Sequence, residues 1–258
     1  MKTILSLSAL LITLTLTAQS NTATWYINDT SGNGIQSPTS VASGNYSTAM
    51  GYNEIADGLT STAMGKNTIA SGEYSTAMGY YTVADGVLST AMGYQTTASA
   101  PRAVAMGSGT LASGDSSTAM GIDTKASGGS STATGSLTEA SGTFSTAMGA
   151  STTASGDYST TMGSQTTSSG FISTAMGSQT TSSGASSTAM GDNTTASGER
   201  STSLGYKTTA SDRSSLVVGQ YNLLGSTVTN SATQFSTENT AFVIGNGVNL
   251  DNLSLIHI

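Results

Sequence analysis

A chain of 258 residues with 31 glycines, 8% charged residues and 6% aromatics has too few large side chains for an ordinary globular core. Its net charge of -7 argues against nucleic acid or an anionic membrane surface as a partner. The absence of cysteine removes both a disulfide framework and a thiolate metal site, and leaves the redox compartment open.

At the N-terminus Lys2 precedes an apolar run from Ile4 to Leu16, and Ala18 and Ser20 are small residues placed for cleavage. Residues 1–20 therefore read as a secretory signal peptide. The run is shorter than the roughly 20 residues a bilayer-crossing helix needs. Residues 21–38, with "TWYINDTSGNGI" and the only Trp, suit an N-terminal cap over the first repeat unit.

From residue 39 to 219 the chain repeats itself. "YSTAMGYNEIADG" (46–58) returns fourteen residues later as "TSTAMGKNTIASG" (60–72). Glycine recurs at that spacing as Gly51, Gly65, Gly79, Gly93, Gly107, Gly121, Gly135, Gly149, Gly163, Gly177, Gly191, Gly205 and Gly219, thirteen copies without insertion or deletion. The preceding column is Met50, Met64, Met78, Met92, Met106, Met120, Met148, Met162, Met176 and Met190, with Thr134, Leu204 and Val218 as departures. A second glycine series from Gly44 fails only at Ala100 and Asp212. Strict periods of this kind mark solenoids, whose units bury their faces only against their neighbours.

Fourteen residues are too few for two helices and their turns, and Ser, Thr and Gly are poor helix formers, so each unit is one coil of two short strands and two turns. Stacking places residue n over residue n+14. The column from Thr68 through Thr82 and Thr96 to Thr208 is unbroken threonine, while the next holds Val83, Thr97, Leu111, Lys125, Glu139 and Thr153. Lys125 and Glu139 put the latter in solvent, so alternation points Thr68, Ala70 and Gly72 inward. The other strand admits two parities. With Thr76 and Met78 inward, methionine supplies the one large apolar group per coil, the glycine after it permits a turn, and Ser75 and Ala77 form a flat outer strip. The opposite parity exposes a methionine stripe, which suits a buried seam between chains better than a free monomer. The sequence does not choose between them.

The pattern "STAMGxxTxASGxxSTAMG" resembles the YadA-like head repeat of trimeric autotransporter adhesins, whose usual form has a run of Val, Ala and Ile before the glycine. The resemblance implies an all-β fold, a left-handed parallel β-roll of thirteen 14-residue coils, assembled as a homotrimer into a rod on a bacterial surface. It further implies, as partners, an extracellular matrix protein, other cells or a surface, with the outer membrane reached only through a C-terminal anchor that this sequence lacks. Lateral association also makes physical sense, because one thin roll buries little apolar area against about 1 to 2 kcal/mol of entropy per ordered residue. Thirteen coils at about 4.8 Å build a rod of about 60 Å.

Catalytic chemistry is not indicated. The acids stand singly in their columns and no nucleophile is accompanied by a base, so the chain is not expected to be an enzyme, and no catalytic, cofactor-binding or metal-binding residue is nominated. Glu73, Asp115, Asp157 and Glu199 recur at every third coil, a trace of duplication rather than a calcium site. Lys125 and Glu139 on neighbouring rungs are placed to pair. Residues 220–252 read as a C-terminal cap or the start of a further domain. The closing "LSLIHI" (253–258), with the only histidine, His257, can be encoded by a sequence that looks like a library adapter, so these six residues are expected to be an artefact of a gene that continues. The functional reading is an adhesin head, with a structural spacer or fibre shaft as the alternative and an ice-binding solenoid behind both.

Overall fold

The computed structural model describes residues 26–27, 34–222, 233, 242–247 and 255–256. The expected signal peptide, Trp25 and His257 lie outside them. The described residues form a parallel β-solenoid of thirteen coils without a helix. Each coil contributes a five-residue strand such as Thr76–Tyr80 and, in all but the last, a two-residue strand such as Val83–Ala84. The long strands stack into one sheet and the short ones into a second of 12 strands. Pairing is parallel and in register throughout the repeats: Met78 lies beside Met92, Gly79 beside Gly93, and Val83 beside Thr97. The fourteen-residue period therefore sets the register directly, as the sequence requires.

The interior is narrow. In the coil containing Met78 its lining residues are Ser75, Ala77, Thr82, Ala84 and Gly86, and the three hydrophobic or β-branched ones among them, Ala77, Thr82 and Ala84, are each 0% exposed. Its width is gauged where two hydroxyls face each other: Ser203 Oγ lies 2.8 Å from Thr208 Oγ1, and Ser182 Oγ 2.6 Å from Ser187 Oγ. Opposite walls that meet within hydrogen-bonding distance through side chains of two or three heavy atoms leave no space for a thioether. This decides between the two parities that the sequence leaves open. Ser75 and Ala77 face in, and Thr76 and Met78 face out, half-buried against their own column. Val83 and its column face outward and Thr68 and Ala70 inward, as alternation from the charged rungs requires.

Glycine before the corner also has a different role from permitting a turn. Gly79 lies inside the strand at φ 123°, and the column runs from Gly51 at 141° to Gly219 at 113°. A Cβ on Gly79 would overlap the carbonyl oxygen of Gly93 in the next coil. Except at Gly109, the corners themselves are turned by non-glycine residues in the left-handed region, Tyr74 at φ 58° and Tyr81 at φ 54° in one coil. The conformation aims their N–H groups backward along the axis, where Tyr74 donates to the Leu59 carbonyl (2.8 Å) and Tyr81 to that of Lys66 (3.0 Å). Strand residues donate forward, as Thr76 does to Ser89 (2.9 Å). Backbone polar groups along the coils are thus paired in both directions.

At the first coil Ile35–Gln36 pairs in parallel with Thr48–Ala49 and antiparallel with Tyr26–Ile27. At the other end Leu216–Gln220 pairs in parallel with Phe242–Asn246, on which Leu255–Ile256 lies antiparallel. The short sheet ends at Thr209–Ala210, where the Asn222 amide stands in for a further strand: its Oδ1 accepts from the Thr209 N–H (2.7 Å) and its Nδ2 donates to the Thr209 carbonyl (2.9 Å).

Candidate functional site

Three surfaces run the length of the roll. The face of the long strands carries two outward columns: threonine, with Val104 and Leu216 as its aliphatic members, and the methionine column. All ten methionines named from the sequence lie in this single column. Met148, at 38%, and Met190, at 37%, are its most exposed members. Each stands beside a residue other than methionine, Thr134 and Leu204 respectively. Among the described residues no other element of the chain packs over this face; each long strand touches only its stacked neighbours and the short strands of adjoining coils. The glycines that follow the methionines let successive backbones approach where a Cβ would meet the carbonyl of the next coil.

The face of the short strands presents one outward residue per coil. It begins apolar, with Ile55, Ile69 and Val83, passes through Leu111, Lys125 and Glu139, and ends as Thr153, Thr167, Thr181, Thr195 and Thr209. Near its start Asn53, Ile55, Asn67, Ile69 and Tyr81 line a shallow depression. Lys125 Nζ and Glu139 Oε1 meet at 3.1 Å, the pair expected from their neighbouring rungs. Being about half exposed, it contributes about 0 to 1 kcal/mol.

The corners hold the aromatic side chains, stacked in columns from coil to coil. Tyr80 stacks on Tyr94 at 5.6 Å, and Phe144 on Tyr158 at 5.1 Å. The Lys66 ammonium lies 5.7 Å from the Tyr52 ring and 5.4 Å from the Tyr80 ring, bridging two coils. Lys207 sits similarly between Tyr206 and Tyr221, at 5.2 and 5.3 Å. Hydrogen bonds from Tyr221 and Lys207 hold the Tyr206 phenol below its ordinary pKa, and bonding to Tyr206 lifts that of Lys207. Fourteen-residue spacing between Tyr52, Lys66 and Tyr80 was the available signal.

The acids repeated at every third coil occupy one corner column and are engaged separately. Asp115 takes both oxygens to Arg102 Nη2 (2.7 and 2.8 Å), Asp157 accepts from the Thr143 N–H (2.8 Å), and Glu199 pairs with Arg200 (3.2 Å) and Arg213 (3.5 Å). Among the described residues no group of three or more His, Cys, Asp or Glu side chains is placed to hold a metal ion. Two acids are buried in the roll, Asp212 in the inward glycine column near its C-terminal end and Glu54, fully buried at the head of the threonine column. It accepts from the Thr68 N–H (2.9 Å) and the Thr68 hydroxyl, while its Oε1 has no partner. Burial raises its pKa above the usual carboxylate value, against the lowering effect of those bonds.

A search of the curated proteins finds no match. Among protein families, the model described as the YadA head domain repeat matches residues 38–53, 56–82, 84–110, 112–138, 140–166, 168–194 and 196–222. Each longer match spans two coils, in keeping with a model of two repeat copies, and the matches cover well over half of the chain.

Proposed function

This chain belongs to the YadA head-repeat family, and from that membership we propose that it is the head of a bacterial surface adhesin, non-enzymatic and trimeric. Three left-handed rolls pack their threonine and methionine faces around a common axis and turn their short-strand faces and aromatic corners outward. The observation that carries this reading is the outward methionine column, an apolar seam running from Met50 to Val218 with nothing of the same chain over it. Exposed apolar surface of that extent marks an interaction site, and a threefold axis covers it with two further copies of itself. The head attaches to matrix protein, cells or another surface through residues at the corners and the short-strand face. It is held at the outer membrane by an anchor that belongs to the C-terminal part of such proteins.

Adhesion of beads coated with the exported chain to matrix-coated and bare surfaces tests the function. Binding above that of beads carrying an unrelated protein supports the head; binding equal to it leaves a spacer or fibre shaft that presents another domain. An ice-binding role has less support, because the longest threonine column, Thr68 to Thr208, is interior. Thermal hysteresis no greater than that of an inert protein is the expected result.

A further inference from the structure

The short-strand face begins apolar where the fold does not require it. Its outward column is threonine from Thr153 to Thr209, and Thr97 already stands in register between Val83 and Leu111. Threonine is therefore sufficient there, yet the first coils carry Ile55 and Ile69. These two floor the shallow depression, Asn53 and Asn67 line one side of it, and Tyr81 stands at the next rung. On the other side Asp57 and Asp85 face outward, each accepting a hydrogen bond from the serine one coil before it, Ser43 and Ser71. We propose that this groove binds a neutral, extended β-1,4-linked glycan laid along the axis of the roll.

The chemistry of the groove points to that ligand. A pyranose offers a C–H face to an apolar floor and an aromatic wall, and a rim of hydroxyls to polar groups on either side. The amides are available for those hydroxyls. Among the described residues the Asn53 and Asn67 side chains make no hydrogen bond, whereas a second amide column, Gln165, Gln179 and Asn193, is linked to itself at 3.2 and 2.8 Å. Charge excludes a polyanion, because two carboxylates border the groove and the nearby Lys66 ammonium is held between the Tyr52 and Tyr80 rings. Sugar hydroxyls donate readily to such carboxylates. Spacing sets the linkage. Coils repeat at about 4.8 Å, and Asp57 and Asp85 recur two coils apart, at about 10 Å. An extended β-1,4-linked chain advances one sugar in nearly the distance of one coil and presents the same edge at every second sugar. The inference rests on the adhesin reading for its setting and names a ligand for its short-strand face; the groove lies within one chain, away from the methionine seam.

The test titrates the full-length chain with cellohexaose and chitohexaose by calorimetry, with α-linked maltohexaose and a heparin hexasaccharide as controls. At least one β-1,4-linked hexamer is expected to bind saturably, and both controls at least about tenfold more weakly. Ile55→Thr with Ile69→Thr, which installs the residue the later coils carry, should weaken binding about tenfold. Asn53→Gly with Asn67→Gly, which keeps the left-handed corner as Gly109 does, should have a similar effect. Thr181→Ala, far along the same face, should leave affinity unchanged. Circular dichroism matching the parent qualifies each variant, and Tyr81→Asn replaces one that does not qualify. No binding of either β-1,4-linked hexamer, equal binding of a control, or affinity unmoved in the folded variants overturns the inference. Failure here with bead adhesion intact leaves the adhesin reading standing, while hexamer binding without adhesion to any surface overturns that reading and keeps the groove.

Discussion

Two glycine columns look equivalent by proximity and should respond differently to alanine. A Cβ on Gly149 would overlap the Gly163 carbonyl, and one on Gly142 the Gly156 carbonyl. Either substitution forces neighbouring rungs apart and weakens ladder hydrogen bonds at about 1 kcal/mol each. Gly149, however, also has φ 123°, a region costing a residue with a Cβ about 1 to 3 kcal/mol, whereas Gly142 has no positive φ. Nature has already placed Ala100 and Asp212 in the Gly142 column, with the coils on either side of Ala100 still in register. Gly149→Ala should therefore be destabilised by about 1 to 3 kcal/mol more than Gly142→Ala. Urea unfolding followed by circular dichroism at fixed protein concentration reads the difference as a shift in midpoint, which is the safer comparison in a solenoid whose unfolding need not be two-state. Equal midpoints, or a lower one for Gly142→Ala, would refute the assignment of strain to the strand glycine.

The same geometry sets other expectations. Ala77→Leu adds bulk to an interior only two small side chains across and should cost about 1 to 3 kcal/mol, while Met78→Ile on the outer face should cost under about 1.5 kcal/mol; thermal melts of the two variants compare them. Ile172 is a β-branched residue held at φ 55°, so Ile172→Asn should stabilise by about 1 kcal/mol or slightly less, seen as a raised urea midpoint. Glu54 has a folded pKa raised above 4.5, so its burial is least costly below that value and costs more as pH rises through the raised pKa. Glu54→Gln should accordingly melt higher than the parent at neutral pH, and the gap should close on acidification below about pH 4.5. A gap that widens on acidification would contradict the sign.

The legible part of this fold was its period and one of its two strands. Thirteen glycines in step fix the register, and the charges of Lys125 and Glu139 mark which residues of the short strand face water, so Thr68 and Ala70 could be placed inside from sequence. The long strand carries no such marker. Ser, Thr, Ala, Met and Gly contain no charge, and either parity gives one small and one larger column. Interior width decides the matter, and it appears only when the opposite walls are seen meeting at Ser203 and Thr208. The left-handed conformation at the corners was equally hidden, because Tyr74, Leu88, Arg102 and Ile172 adopt positive φ without the Gly or Asn that normally signals it. Glu54 escaped notice since it heads a column otherwise made of threonine.

The central claim is that Met and Thr face outward and form a seam shared by three chains. A chain without cysteine allows a direct test with single Met106→Cys and Lys125→Cys variants, one on each face, treated with a short bis-maleimide and run on a denaturing gel. A band at twice the 25.7 kDa chain from Met106→Cys, each crosslinker joining two single thiols, and a single-chain band from Lys125→Cys are the expected result. Crosslinking through Lys125→Cys with Met106→Cys left as single chains would place the seam on the wrong face and contradict the account.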